Sequence, residues 1–211
     1  MGNCTEKPEQ LNTYETHTYR QVERLPTRPA DEFDADATQS VQRTLHMHTN
    51  HTYEGDVKER KANGTGRYVT PEYEYNGEWI NGRPNGTGAI VYKDGTRYNG
   101  QFINGQPDGK GEYFAPHGFT YVGEFHNGKF YGQGEAVWPD GSSYVGEFKL
   151  GLFHGVGEYK YADGRVYAGE YRNGVKEGKG LVVMPDGSRV DGMWAGGRLA
   201  DKEFGRAPVV A

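Results

Sequence analysis

Ring and glycine positions alternate with polar ones in steps of two along most of this chain. In Tyr98-x-Gly100-x-Phe102 the two rings and the glycine share one face of an extended strand. Gly109-x-Gly111-x-Tyr113 likewise places two glycines and a ring on one face. The Tyr-x-Gly signature starts at Tyr53, Tyr75, Tyr98, Tyr121, Tyr144 and Tyr167, first 22 and then 23 residues apart, and a worn copy follows at Val190 with Gly192 and Trp194 in place. Six matches in register define a repeat, and a period in this range marks a stacked array of small units.

Turn chemistry completes the unit. Asn-Gly stands at 81–82, 104–105, 127–128 and 173–174, and Asp-Gly at 94–95, 140–141, 163–164 and 186–187. Both dipeptides accept positive φ and favour hairpins. Each repeat therefore reads as one hairpin, with a second tight turn leading to the next. The predicted fold is all-β: a single-layer antiparallel meander of thirteen or fourteen strands, twisted, and roughly 60–65 Å long at ~4.8 Å per strand. Its framework is Tyr75, Gly77 and Trp79; Tyr98, Gly100 and Phe102; Tyr121, Gly123 and Phe125; Tyr144, Gly146 and Phe148; Tyr167, Gly169 and Tyr171; and Trp194. Bare glycine leaves room for a ring from a neighbouring strand. The rungs Trp79, Phe102, Phe125, Phe148, Tyr171 and Trp194 are expected to stack from repeat to repeat.

Composition fits this picture and narrows the function. The mean hydropathy of −0.89 and the apolar share of 34% are low for one spherical core, while 33 glycines and 16 tyrosines suit turns between aromatic strands. With a net charge of −5 and no long basic run, a nucleic-acid footprint is not expected. No apolar run reaches 18 residues, and the first 30 lack a secretory apolar segment. Cys4 is the single cysteine, which excludes an internal disulfide and points to an intracellular setting.

The pattern Tyr-x-Gly-Glu-(Phe/Trp)-x-x-Gly-x-x-x-Gly-x-Gly resembles the MORN (membrane occupation and recognition nexus) repeat family over about 53–197. It departs at Val57, where an aromatic is usual, and at Gln101 and Met193, where Glu is usual; the family's His appears only as His154. The resemblance implies a non-catalytic adaptor for a protein or a membrane, with relatives in ciliary or flagellar structures and at cell cortices.

Around the array at 53–197, residues 1–40 read as extended or disordered, 41–52 as a degenerate half repeat covering one sheet edge, and 198–211 as a tail covering the other. A helix over 35–47 is the alternative, from the spacing of Ala35, Ala37, Val41 and Leu45.

Candidate chemistry is sparse. Glu78, Glu124, Glu147 and Glu170 recur at one repeat position, which suits a structural ladder better than a catalytic set. His46-x-His48-x-x-His51 could hold a metal, but solvated histidines are the simpler reading. Between the glycine turns lie Arg83-Pro84-Asn85, Gln106-Pro107-Asp108 and Val175-Lys176-Glu177, which read as polar loops. Two central ones are apolar: Lys129-Phe130-Tyr131 and Leu152-Phe153-His154. These six residues form the candidate partner-binding patch, or else fold back over the ring stack as core. Gly2 and Cys4 are candidates for myristoylation and palmitoylation, although Glu6 stands where Ser or Thr is expected. The reading favours a scaffold that holds an extended or helical segment of a cytoskeletal or ciliary protein on an aromatic groove, in the cytoplasm. A lipid-binding module anchored by N-terminal acylation is the alternative. No catalytic residue, cofactor, metal or small-molecule substrate is expected.

Overall fold

The structure, a computed structural model, describes residues 41–47 and 50–203, with side chains over 50–201. Fifteen strands follow one another: β1 (Val41–Met47), β2 (His51–Lys58), β3 (Lys61–Val69), β4 (Tyr73–Ile80), β5 (Arg83–Tyr92), β6 (Arg97–Ile103), β7 (Gln106–Phe114), β8 (Thr120–His126), β9 (Lys129–Val137), β10 (Ser143–Lys149), β11 (Leu152–Lys160), β12 (Val166–Arg172), β13 (Val175–Val183), β14 (Arg189–Ala195) and β15 (Arg198–Glu203). They form one antiparallel sheet in chain order, each strand bonded only to its neighbours in sequence. Residues 41–47 are strand, not helix, and pair Leu45 with Tyr53. The worn copy at 190 is a complete hairpin, closed by β15.

Two-residue turns close the hairpins. Asn81-Gly82, Asn104-Gly105, Asn127-Gly128 and Asn173-Gly174 have positive φ at both positions, the geometry that matches the natural twist of a strand pair. Two hairpins break the rule: Glu59-Arg60 holds φ 49° and 61° with neither asparagine nor glycine, and Leu150 precedes Gly151 and holds φ 55°. A side chain such as leucine in this left-handed region costs roughly 1–2 kcal/mol. At the other end, Asp94, Asp140, Asp163 and Asp186 set four of the turns; Asp140 Oδ1, for instance, accepts from Ser142 N at 2.9 Å.

A single sheet needs its own way to bury rings, and here it is a bulge in the hairpin that follows each repeat tyrosine. The register slips after Gly77, Gly100, Gly123, Gly146 and Gly169, which adds residues to the second strand. The repeat tyrosine lies flat over the paired glycines beside this slip. Tyr121 donates its hydroxyl to the carbonyl of Glu124 at 2.9 Å, and Tyr75, Tyr98 and Tyr144 do the same to Glu78, Gln101 and Glu147. The bulge thus supplies a partner for the phenol of the repeat tyrosine, whose burial would otherwise cost free energy.

The expected stacking of rung on rung is replaced by a zigzag. Phe125 meets Tyr121 of its own repeat edge-on at 5.2 Å and Tyr98 of the preceding repeat at 4.8 Å; Phe148 meets Tyr144 at 5.1 Å and Tyr121 at 5.0 Å. Edge-to-face contact is favoured by the ring quadrupole, so alternating ring orientations outcompete parallel rungs. The zigzag runs from Tyr53 to Trp194, and the core is one layer of rings along one face of the sheet.

This burial has a pH consequence. Desolvation pushes the Tyr167 hydroxyl from the ordinary value of 10.0 up to about 12, and raises Tyr53, Tyr73, Tyr75, Tyr98, Tyr121 and Tyr144 further. The fold holds these phenols neutral, so their contribution is complete below pH ~10 and is lost as pH rises from there toward the folded-state values. Ultraviolet titration of the phenolate is expected to show the buried set ionising well above pH 10, together with loss of β structure. A single ordinary transition for all tyrosines would contradict the ring layer.

Candidate functional site

The residues between the glycine turns are strand, not loop, and alternation separates them. Pro84, Pro107, Phe130, Phe153 and Lys176 occupy equivalent positions, each 23 after the last, and all face the ring layer. The six-residue patch is therefore not one surface. Phe153 is only 8% exposed and stacks on Tyr144 at 3.8 Å; half-buried Phe130 stacks on Tyr121 at 3.9 Å. Of the two readings of these rings, core is the one observed, because the two-residue turn leaves them on the inner register. Tyr131 and Leu152 point the other way and are 40% and 43% exposed. Lys129 and His154 share their side of the sheet, with His154 Nδ1 buried and unbonded among the described residues.

Lys176 also corrects the reading of its segment as a polar loop. It is buried, donates to the Tyr161 hydroxyl, and holds its ammonium 4.9 Å from the Tyr167 ring centre and 5.0 Å from that of Trp194. Such placement is favoured by the negative faces of the rings. Its signal in the sequence is the spacing, 23 residues after Phe153.

The glutamate ladder is structural. Glu78, Glu124, Glu147 and Glu170 lie against the bulge glycines Gly86, Gly132, Gly155 and Gly178. Glu170 Oε1 accepts from Lys179 N at 3.2 Å, and Gln101 Oε1 accepts from Lys110 N at 2.8 Å. An amide oxygen performs this task as well as a carboxylate, which explains why Gln101 is tolerated. Asp56 does the same one repeat earlier, with Thr65 N at 2.8 Å.

His51 Nδ1 bonds the Tyr68 hydroxyl at 2.8 Å; the side chains of His46 and His48 lie outside the described residues. So do Gly2 and Cys4. Among the described residues no three His, Cys, Asp or Glu side chains converge as metal ligands, and no helix is long and apolar enough to cross a membrane.

The ring face has two borders. On one side stand Tyr92, Ala115, Trp138, Tyr161 and Met184, one per repeat, and on the other the row from Pro84 to Lys176. Tyr92, Ala115, Phe130, Tyr161 and Met184 remain half-accessible. The Tyr92 to Met184 row is absent from the sequence reading, because its residue types differ from repeat to repeat. Among the described residues the strands pack chiefly on their neighbours in the sheet.

These features agree with the family comparison. The family model described as MORN repeat matches residues 75–97, 98–118, 121–143, 144–164 and 167–189, more than half of the chain. The chain belongs to the MORN repeat family. No curated protein matches it. Among solved structures, it is similar to the TCP domain of SAS-4 (dCPAP) of Drosophila melanogaster, in complex with a proline-rich motif of Ana2 (dSTIL). That likeness covers 79% of this chain and 98% of the other at 15% identity, with a TM-score of 0.41.

Proposed function

We propose that this protein is a non-catalytic scaffold that holds an extended or helical segment of a partner protein along its ring-lined face. The observation that carries this reading is the continuous ring layer along one face, with Tyr92, Ala115, Tyr161 and Met184 only partly buried against it. Apolar area of fixed geometry running across several repeats suits one long segment laid along it. The recurring carboxylates are engaged in bulges, which supports binding over catalysis. A cytoskeletal, ciliary or cortical partner, bound in the cytoplasm, belongs to the same proposal through the family resemblance. Membrane anchoring at Gly2 and Cys4 is the second reading, motivated by the lone cysteine beside Gly2; Gly2→Ala is then expected to release the protein to the soluble fraction.

The test is site-specific photo-crosslinking in the native cell. A benzophenone side chain at position 92 or 184 is expected to capture a defined partner segment, identified by mass spectrometry, while one at the exposed Val91 on the opposite face of β5 captures none. Capture from 91 alone, or from neither face, would overturn the ring-face assignment.

A further inference from the structure

The other side of the sheet carries an anomaly at one edge. Leu150 occupies a left-handed position that asparagine holds in four other hairpins, and it is 56% exposed. The fold thus accepts backbone strain and an exposed apolar side chain at one place where neither is required. Strained positions of this kind concentrate where a residue serves binding.

Its surroundings extend the patch. Gly151 N donates to the Phe130 carbonyl at 2.9 Å, which sets the Leu150 turn beside Lys129 and Tyr131. Gly174 N donates to the Phe153 carbonyl at 2.8 Å, which sets the next turn beside Leu152. The exposed side chains of Tyr131, Leu150 and Leu152 therefore follow one another along the turn edge of β8 to β12. Cations rim them: Lys129 at the start of β9, Lys149 at the end of β10 and Arg172 at the end of β12. None of the three makes an ion pair among the described residues. The acids nearby are engaged, Asp108 with His126 at 3.0 Å and with Asn127 N at 3.1 Å, and Glu124 and Glu147 in the bulges over Gly132 and Gly155.

We propose that this edge, centred on Leu150, Leu152 and Tyr131 and rimmed by Lys129, Lys149 and Arg172, is a second docking site. Its occupant is a partner-protein segment in which large apolar residues alternate with Asp or Glu. Three apolar anchors with unpaired cations around them complement such a segment in both shape of polarity and sign of charge. A membrane fits less well. Three cations fall short of the polybasic clusters that hold anionic lipid. The chain's net charge is −5, and Glu135 and Glu158 stand exposed on the same face.

The test selects peptides from a random display library on the full chain and on a Leu150→Asn, Leu152→Thr variant. Leu150→Asn restores the usual turn residue, so the variant is expected to melt no lower than the wild type and folding does not confound the result. Wild type is expected to enrich peptides with interleaved acidic and large apolar residues. A synthetic copy of an enriched peptide should bind the leucine variant at least tenfold more weakly, and likewise a Lys149→Glu, Arg172→Glu variant. Crosslinking from position 92 should persist in both variants, which separates this site from the ring face. No enrichment that depends on the two leucines, or enrichment of basic peptides, overturns the proposal. So does variant-sensitive binding to phosphatidylserine vesicles without peptide binding, which would make the edge a membrane contact.

Discussion

Gly123→Val is expected to destabilise the array by about 3 kcal/mol or more, whereas Gly141→Ala should cost only about 1 kcal/mol. A Cβ at Gly123 would fall 2.6 Å from the Gly134 Cα and 2.6 Å from the Tyr121 hydroxyl, distances that real side chains do not reach. The obstruction is mostly backbone, so no rotamer change relieves it; β8 and β9 must separate or Tyr121 must leave its seat. The φ of Gly123 is not positive, so this cost is purely steric. Gly141 is the reverse case. It has φ 84° and nothing within 4 Å of an added Cβ, so its cost is conformational alone. Thermal and denaturant unfolding of both variants decide the matter. Because each described strand pairs only with its neighbours in the sheet, Gly123→Val should also split the transition, with the units before β8 and after β9 melting separately. Equal effects at the two sites would mean that the repeat glycines are flexible filler, and the flat seating of tyrosine on glycine would be wrong.

The strand order, the hairpin turns and the ring framework were legible in the sequence because each rests on a local rule. Alternation assigns Tyr98, Gly100 and Phe102 to one face, and Asn104-Gly105 can hardly be anything but a tight turn. Three features were not legible. The bulge after each first glycine depends on the tyrosine hydroxyl finding a carbonyl three residues on, a contact that no period reveals. The T-shaped zigzag requires the twist that brings Tyr98 against Phe125 of the next repeat. Most consequential was the loop length. Counting from glycine to glycine makes Lys129-Phe130-Tyr131 a three-residue loop, but the turn is only Asn127-Gly128. Strand alternation therefore resumes at once and sends Phe130 inward and Tyr131 outward. Of the six candidate residues, the exposure of Tyr131 and Leu152 follows from that alternation, while Leu150 drew no notice because Leu-Gly is not a turn signal.

That division leads to the second large effect. Phe153→Ala is expected to cost about 3–4 kcal/mol, Phe130→Ala about 2 kcal/mol, and Leu152→Ala less than about 0.5 kcal/mol. Phe153 lies stacked on Tyr144 and edge-on to Trp138, Phe148 and Tyr171, so its removal leaves a cavity between the zigzag and the Trp138 border. The described residues form a single sheet, so they supply no opposite layer that could collapse into the cavity. Phe130 makes the equivalent stack on Tyr121 and touches Tyr113, Phe119 and Phe125, but it is half-accessible, so less of its area is lost from burial. Leu152 is adjacent to Phe153 in sequence and faces solvent. Guanidinium unfolding of the three variants measures these costs directly. Should Leu152→Ala destabilise as much as Phe153→Ala, the inner and outer registers of β11 would be misassigned, and with them the two-residue turn at Leu150-Gly151. The ordering also governs how binding data are read. Loss of a partner in Phe130→Ala or Phe153→Ala would report damage to the ring layer that every neighbouring repeat leans on, whereas the same loss in Leu152→Ala, with the melting curve unchanged, would report a contact made by the edge itself.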